Sequence, residues 1–291
     1  MVTMTTTVRR LVAGEEAMVE AFLASTPEST VFLRSNLSRV GLIDDGSPFS
    51  GTYAGAFDGD RLTGLAASFS NTNVVVAPGP HAEQVVVHAV SLSGRRVGGI
   101  LGPHDEVVRA RAALWLDGTA AKFWSKEILY VLRLSELILP PALSEGRVVV
   151  RQPRPDELAA LLDWRMAYCA ETTNVPDTRE TRDEQALRLT HYQEDGHHFV
   201  AELASEGGER VAYSAFNATV AEVVQIGGVW TPPALRGRGY ARCTVAGSLR
   251  TARDRGFLHA VLFTGETNPA AQAAYVAIGF RPVGDYAILL F

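Results

Sequence analysis

One stretch of the chain carries the residue types of an anion site: Val229-Trp230-Thr231-Pro232-Pro233-Ala234-Leu235-Arg236-Gly237-Arg238-Gly239-Tyr240-Ala241. Pro232 and Pro233 have no N–H and break a strand ladder, whereas every residue from Arg236 to Ala241 has one. Glycines at 237 and 239 let the backbone adopt unusual dihedrals and come close to an anion. The helix that should follow adds its positive N-terminal end. Together these describe a pyrophosphate cradle. A tight strand-to-helix turn with solvent-facing arginines has the same composition, and the loop alone leaves both readings open. No Gly-Lys-Ser/Thr follows, so this is not a Walker loop, and the Gly-x-Gly-x-x-Gly spacing of a dinucleotide fingerprint is absent. Other chemistry-bearing residues fit less well. His191, His197 and His198 lack the i, i+4 spacing of a helical metal pair, so no metal is expected. Cys169 and Cys243 read as small packing residues.

The cradle needs a strand before it and a helix behind it, and the second half of the chain supplies both. The pattern predicts a strand at Val148–Val150, a helix from Pro155 to Ala167 and a more polar helix from Arg179 to Tyr192. Strands follow at 198–203 and 210–216, joined by a hairpin-like turn at Glu206-Gly207-Gly208-Glu209. A strand at 222–230, a helix at 238–255 stopped by Gly256, a strand at 258–264, a helix at 268–278 and a strand at 281–291 complete it. The order strand, helix, strand, helix, strand recurs at Val74–Ala77, Gln84–Leu92, Gly98–Leu101, Pro103–Leu116 and Leu129–Leu134, which implies a diverged internal duplication. The Pro140-Pro141 pair and the polar turn ending at Gly146 mark a linker. The expected units are therefore 1–143 and 144–291, in a mixed α/β class.

Composition narrows the function further. The 291 residues suit two domains, and 47% hydrophobic with 20% charged residues is ordinary globular composition. A net charge of −5 argues against nucleic acid. No apolar run reaches the roughly 18 residues of a membrane span. The polar, Thr-rich segment Met1–Arg10 is not of signal-peptide type, so a cytoplasmic protein is expected.

Arg236, Gly239 and Ala241 match Arg-x-x-Gly-x-Ala, and here the chain resembles the GNAT superfamily of acyl-CoA N-acyltransferases. Leu262-Phe263-Thr264-Gly265-Glu266-Thr267-Asn268-Pro269 is similar to the family's next strand and turn. Ala274-Tyr275-Val276-Ala277-Ile278-Gly279-Phe280 is similar to its Tyr-x-x-x-Gly-Phe ending. The specific likeness covers Gln225–Phe291. The first half resembles a second, degenerate unit in element order only. The resemblance implies two units, each a mixed, mainly antiparallel sheet flanked by helices, with a splayed parallel strand pair at the cofactor site of the second. It implies acetyl-CoA as acyl donor, its phosphates on Arg236, Gly237, Arg238, Gly239, Tyr240 and Ala241, and its pantetheine arm along Val229, Trp230 and Thr231. It also implies a contact from Asn268, for which a helix N-cap is an equal local explanation.

Tyr275 is, by the same resemblance, the acid that protonates the departing thiolate; a free tyrosine with a pKa of about 10 is protonated at pH 7. A packing tyrosine is the alternative. The base is less clear. A lysine-type amine is neutral in only about one molecule in 2,500 at pH 7. The family's usual glutamate position falls near Gln225, which cannot serve; Glu222 lies on the opposite strand face. Glu171, after the first helix of this half, is the candidate retained. The acceptor expected is a small-molecule or peptide primary amine. The acidic stretch Glu171, Asp177, Glu180, Asp183, Glu184, Glu194 and Asp195 favours a cationic one. The expected function is acetyl transfer to that amine by direct attack. A noncatalytic acyl-CoA-binding sensor of the same fold is the alternative. The first half, whose loop Val76-Ala77-Pro78-Gly79-Pro80-His81 has prolines at 78 and 80 where donors would be needed, should bind no coenzyme A.

Overall fold

The structure, a computed structural model, describes residues 6–205 and 208–291. Part of Met1–Arg10, and Glu206 and Gly207 of the expected hairpin turn, lie outside the described residues. The chain divides into two compact units, 1–129 with 283–291, and 130–282.

The first unit holds β1 (Thr6–Arg10), α1 (Glu16–Leu23), α2 (Pro27–Val40), β2 (Gly51–Asp58), β3 (Arg61–Phe69), β4 (Asn73–Val76), α3 (Ala82–Ser93), β5 (Gly99–Gly102) and α4 (His104–Ala113). The strand β6 (Phe123–Arg133) begins here and runs past the division. Strands β1 to β4 form an antiparallel meander, and β4 pairs in parallel with β5. The core lies on both faces of the sheet. Leu11, Val19, Leu23, Leu33, Tyr53, Leu65 and Phe69 fill one side, and Val76, Val85, Val86, Ile100 and Val107 the other.

The second unit continues with α5 (Pro141–Ser144), β7 (Val148–Arg151), α6 (Leu158–Thr173), α7 (Arg179–Asp195), β8 (His198–Leu203), β9 (Arg210–Val220), β10 (Val223–Trp230), α8 (Tyr240–Asp254), β11 (His259–Gly265) and α9 (Pro269–Val276). Its sheet repeats the plan of the first: β7 to β10 are antiparallel and β10 is parallel to β11. The two helices between the first two strands also recur, as α1 and α2, then α6 and α7. This is the duplicated order that the sequence implied, extended by elements at 6–69 that the sequence pattern did not reveal.

The last strand, β12 (Arg281–Leu290), pairs antiparallel with β5 of the first unit, from Ala287 opposite Gly102 to Leu290 opposite Gly99. The observed bounds therefore differ from the expected 1–143 and 144–291. The prolines at 140 and 141 open the short helix α5 inside the second unit. A strand's choice of sheet edge is a long-range matter that local turn signals do not encode.

In the second unit a buried ionic knot fixes the helix that borders the site. Glu157, in the turn before α6, accepts two bonds from Arg151 of β7, at 2.7 and 2.9 Å, and one from the Arg154 main-chain N–H at 2.7 Å. Arg151 also donates to Glu202 of β8 at 2.6 Å. The Arg151 bonds, aided by the Arg154 N–H, hold the Glu157 carboxyl down at about 2, against an ordinary 4.5. A depressed folded-state pKa stabilises the fold above the unfolded value, and that contribution is lost as pH falls through the folded one. Glu157→Gln should therefore lower unfolding free energy at pH 7, by on the order of 2–3 kcal/mol. The difference from wild type should shrink between pH 5 and 2, measured by urea denaturation at a series of pH values.

Candidate active site

The site is built where two parallel strands part. β10 and β11 pair only at Val223 with His259, Val224 with Ala260 and Gln225 with Val261. Ile226–Trp230 and Leu262–Gly265 have no ladder partner in each other. The register of β10 against β9 shifts twice over the same stretch: Asn217 is skipped between Gln225 and Ile226, and an extra residue is taken up between Gly227 and Trp230. The second shift contains Gly228 at φ +61, a left-handed conformation that a glycine adopts without strain. In the first unit the equivalent pair stays closed. β4 and β5 pair from Asn73 with Gly99 to Val75 with Leu101, leaving one residue of each strand beyond the ladder, and there a Cβ on Gly102 would lie 2.7 Å from the Val76 carbonyl oxygen.

Beyond β10, the turn Pro233–Leu235 leads through Arg236 and Gly237 to α8. Gly237 and Gly239 have φ of +76 and +81. The N–H of Arg236 is used within this turn. Those of Gly237, Arg238, Gly239, Tyr240 and Ala241 find no acceptor among the described residues. The result is a run of open donors at the start of a fifteen-residue helix, which suits an anion. In the first unit Pro78 and Pro80 remove two donors. The Ala77 N–H is bonded to Leu65, and the Gly79 carbonyl is held by Arg109 at 3.2 Å.

The remaining expected residues fall as follows. Val229 is half-buried and Trp230 buried; Trp230 pairs with Tyr213. The Thr231 hydroxyl is buried without a partner, and its carbonyl accepts from Arg236 Nε at 3.0 Å. The Arg236 guanidinium also lies 4.8 Å from the centre of the Trp230 ring. Asn268 caps α9, its Oδ1 accepting from the Ala271 N–H at 3.1 Å, so the capping explanation is realised. Tyr275 is buried on α9, edge-on to Phe280 with ring centroids 6.0 Å apart. Glu171 lies within α6, which continues past the expected end at Ala167, and is half-exposed. It accepts from Arg236 Nη2 at 2.8 Å. Among the described residues no group of three or more His, Cys, Asp or Glu is placed to hold a metal. None of their helices is long and apolar enough to cross a membrane.

The helices α6 and α7 cover the opposite side of this strand region. Some of the acids here are committed to arginines: Arg182 donates to Asp177 at 2.6 Å and to Asp163 at 3.0 Å. Beneath them lies an aromatic, neutral lining. Tyr192 donates to Asn217 at 2.8 Å. Fully buried His198 contacts Gln193 at 2.9 Å, and burial, with His197 beside it, pushes its pKa down to about 4. Arg165 of α6 lies in this lining and was not singled out by sequence; one arginine on an amphipathic helix gives no signal of its surroundings.

Residues 158–280 match the family model described as "Acetyltransferase (GNAT) family". No curated protein matches the chain. Solved structures with the same fold include an acetyltransferase from the GNAT family of Colwellia psychrerythraea, at 15% identity over 98% of this chain and 99% of that one, with a TM-score of 0.55. A tandem GNAT protein from the clavulanic acid biosynthesis pathway is 13% identical over 98% of each chain, with a TM-score of 0.58. A Drosophila protein is 14% identical over 98% of each chain, with a TM-score of 0.66.

Gly239→Ala tests the donor loop. A left-handed alanine costs about 1–2 kcal/mol of stability, and the shifted N–H groups should weaken binding of an acyl-CoA at least about tenfold. Calorimetric titration of the wild type should give one acetyl-CoA per chain. Two, or one that survives the substitution, would place binding elsewhere.

Proposed function

We propose, from the match of residues 158–280 to the acetyltransferase (GNAT) family model, that the protein transfers an acetyl group from acetyl-CoA to a primary amine, with its second unit as the working one. The observation that carries this is the parting of β10 and β11 after Gln225, beside a loop of unused N–H donors. The donors from Gly237 to Ala241 would hold the pyrophosphate, and the main chain at Val229 with the N–H of Thr231, whose carbonyl is taken by Arg236, would pair with the pantetheine arm as an added strand does. Bound in this way, acetyl-CoA supplies a thioester activated toward an amine.

The protein's own residues then manage protons and position. Tyr275 would give its phenolic proton to the leaving sulfur. Glu171 would take a proton from the amine, through water, since its carboxylate is already tied to Arg236. The unused Thr231 hydroxyl would find a partner in the donor. The first unit, with β4 and β5 closed, would have a structural part.

Tyr275→Phe should keep acetyl-CoA affinity and lower kcat by about 10²–10⁴-fold, the usual range for general acid catalysis, measured by thiol release with a primary-amine panel. An unchanged kcat with chemistry rate-limiting would make Tyr275 a packing residue. Glu171→Gln separates two roles. A base loses kcat and its acidic pH limb at unchanged acetyl-CoA affinity, whereas a brace for Arg236 loses affinity at unchanged kcat. Tight acetyl-CoA binding with no thiol release for any amine would favour a noncatalytic binder.

A further inference from the structure

Arg165 is a cation without a counter-charge at the most irregular point of the site. Its Nε donates to Gln185 Oε1 at 2.8 Å, and its guanidinium carbon lies 5.0 Å from the centre of the Tyr168 ring. Its Nη1 is covered from solvent and has no hydrogen-bond partner. Among the described residues no carboxylate lies within ion-pair distance of it. The groups around it offer no negative charge either: burial raises the pKa of the Tyr168 and Tyr213 phenols, and His198 is uncharged at pH 7. A covered guanidinium with an unmet donor is costly unless an anion receives it.

Its location says which anion. Nη1 stands 2.7 Å from where a Cβ on Gly228 would be, over the bulge of β10 and next in sequence to Val229. Glycine is thus favoured there by its dihedral, and its lack of a Cβ leaves the guanidinium its place. Arg165 as a whole is only half-buried, so a ligand entering beside the parted strands has a way to it. A planar guanidinium fork matches a carboxylate. One guanidinium in an aromatic lining, with exposed Arg188 also acting on Tyr213, matches a monoanion.

We infer that the amine acceptor carries a carboxylate, and that Arg165 at the Gly228 bulge receives it. This rests on the acyl-transfer reading and gives its acceptor a chemical class: amino acids or compounds with the same amine-and-acid pairing. It departs from the cationic acceptor that the acidic stretch from Glu171 to Asp195 suggested; of that stretch, Asp177 is paired with Arg182 and Glu171 with Arg236.

The test uses the full chain and a panel of α-amino acids, β-alanine and γ-aminobutyrate, each beside its amide and its decarboxylated amine, with aminomethylphosphonate added. Free acids should be acetylated at least about tenfold more efficiently, in kcat/KM, than their amides. Arg165→Met should remove that preference by raising KM for the acids about 10- to 100-fold. It should leave the amides and the acetyl-CoA affinity unchanged. Without ligand, the variant should melt at or above the wild-type temperature, since an uncompensated charge is gone. Equal use of acids and amides, no acid accepted, preference for the phosphonate, an equal loss on both classes, or a marked fall in melting temperature would overturn the assignment. Failure of the acyl-transfer reading would show separately, as absence of acetyl-CoA binding by the wild type. In that case protection of the wild type, but not of Arg165→Met, by free amino acids in a thermal melt still supports the carboxylate site, and equal or absent protection refutes it.

Discussion

Everything chemical in the second unit depends on hydrogen bonds that β10 and β11 do not make. Three ladder pairs hold the strands together and then pairing stops at Gln225. Unpaired main chain is costly when buried, so such a gap persists only where another partner serves it. The polypeptide prepares the gap in two ways. Register shifts at Asn217 and Gly228 turn β10 away from a regular path, and Pro232 and Pro233 end it before it can curl back. The donor loop and α8 then stand at the mouth of the gap.

The first unit shows what the same plan does without these devices. Its β4 and β5 pair to within one residue of their ends, with Gly102 packed on the Val76 carbonyl beyond the last pair. Its connecting loop has prolines where the other has donors, and Arg109 occupies a carbonyl of that loop. A shared topology with a closed strand pair is a scaffold. The difference between the two units is thus carried by few residues, mainly the Gly228 bulge, Gly237, Gly239 and the order of prolines.

Much of the second unit was legible in its sequence because its signals are local. The strand at 198–203 and the starts of the strand at 210 and the helix at 179 follow directly from periodicity and caps. The donor loop was legible because prolines and glycines act on their own backbone. The elements β2 and β3 were not, because they are buried on both faces and rich in Ala and Gly, so no alternation betrays them. Arg165 was not, because its significance lies in the charges it lacks, and an absent partner is a fact of three dimensions. Glu171 was read as a loop residue; α6 runs on to Thr173 and hands it to Arg236.

The position of β12 governs how the chain must be made. The first unit's sheet receives residues 283–291 beside β5, so the portion synthesised first waits for the whole of 130–282 before it can close. Until then β5 presents an open edge, the kind of surface that invites pairing with another chain. Contacts of such sequence separation also slow folding. The unit without the donor loop is therefore the one whose completion comes last, and translation past residue 282 becomes the step that ends its exposure to aggregation.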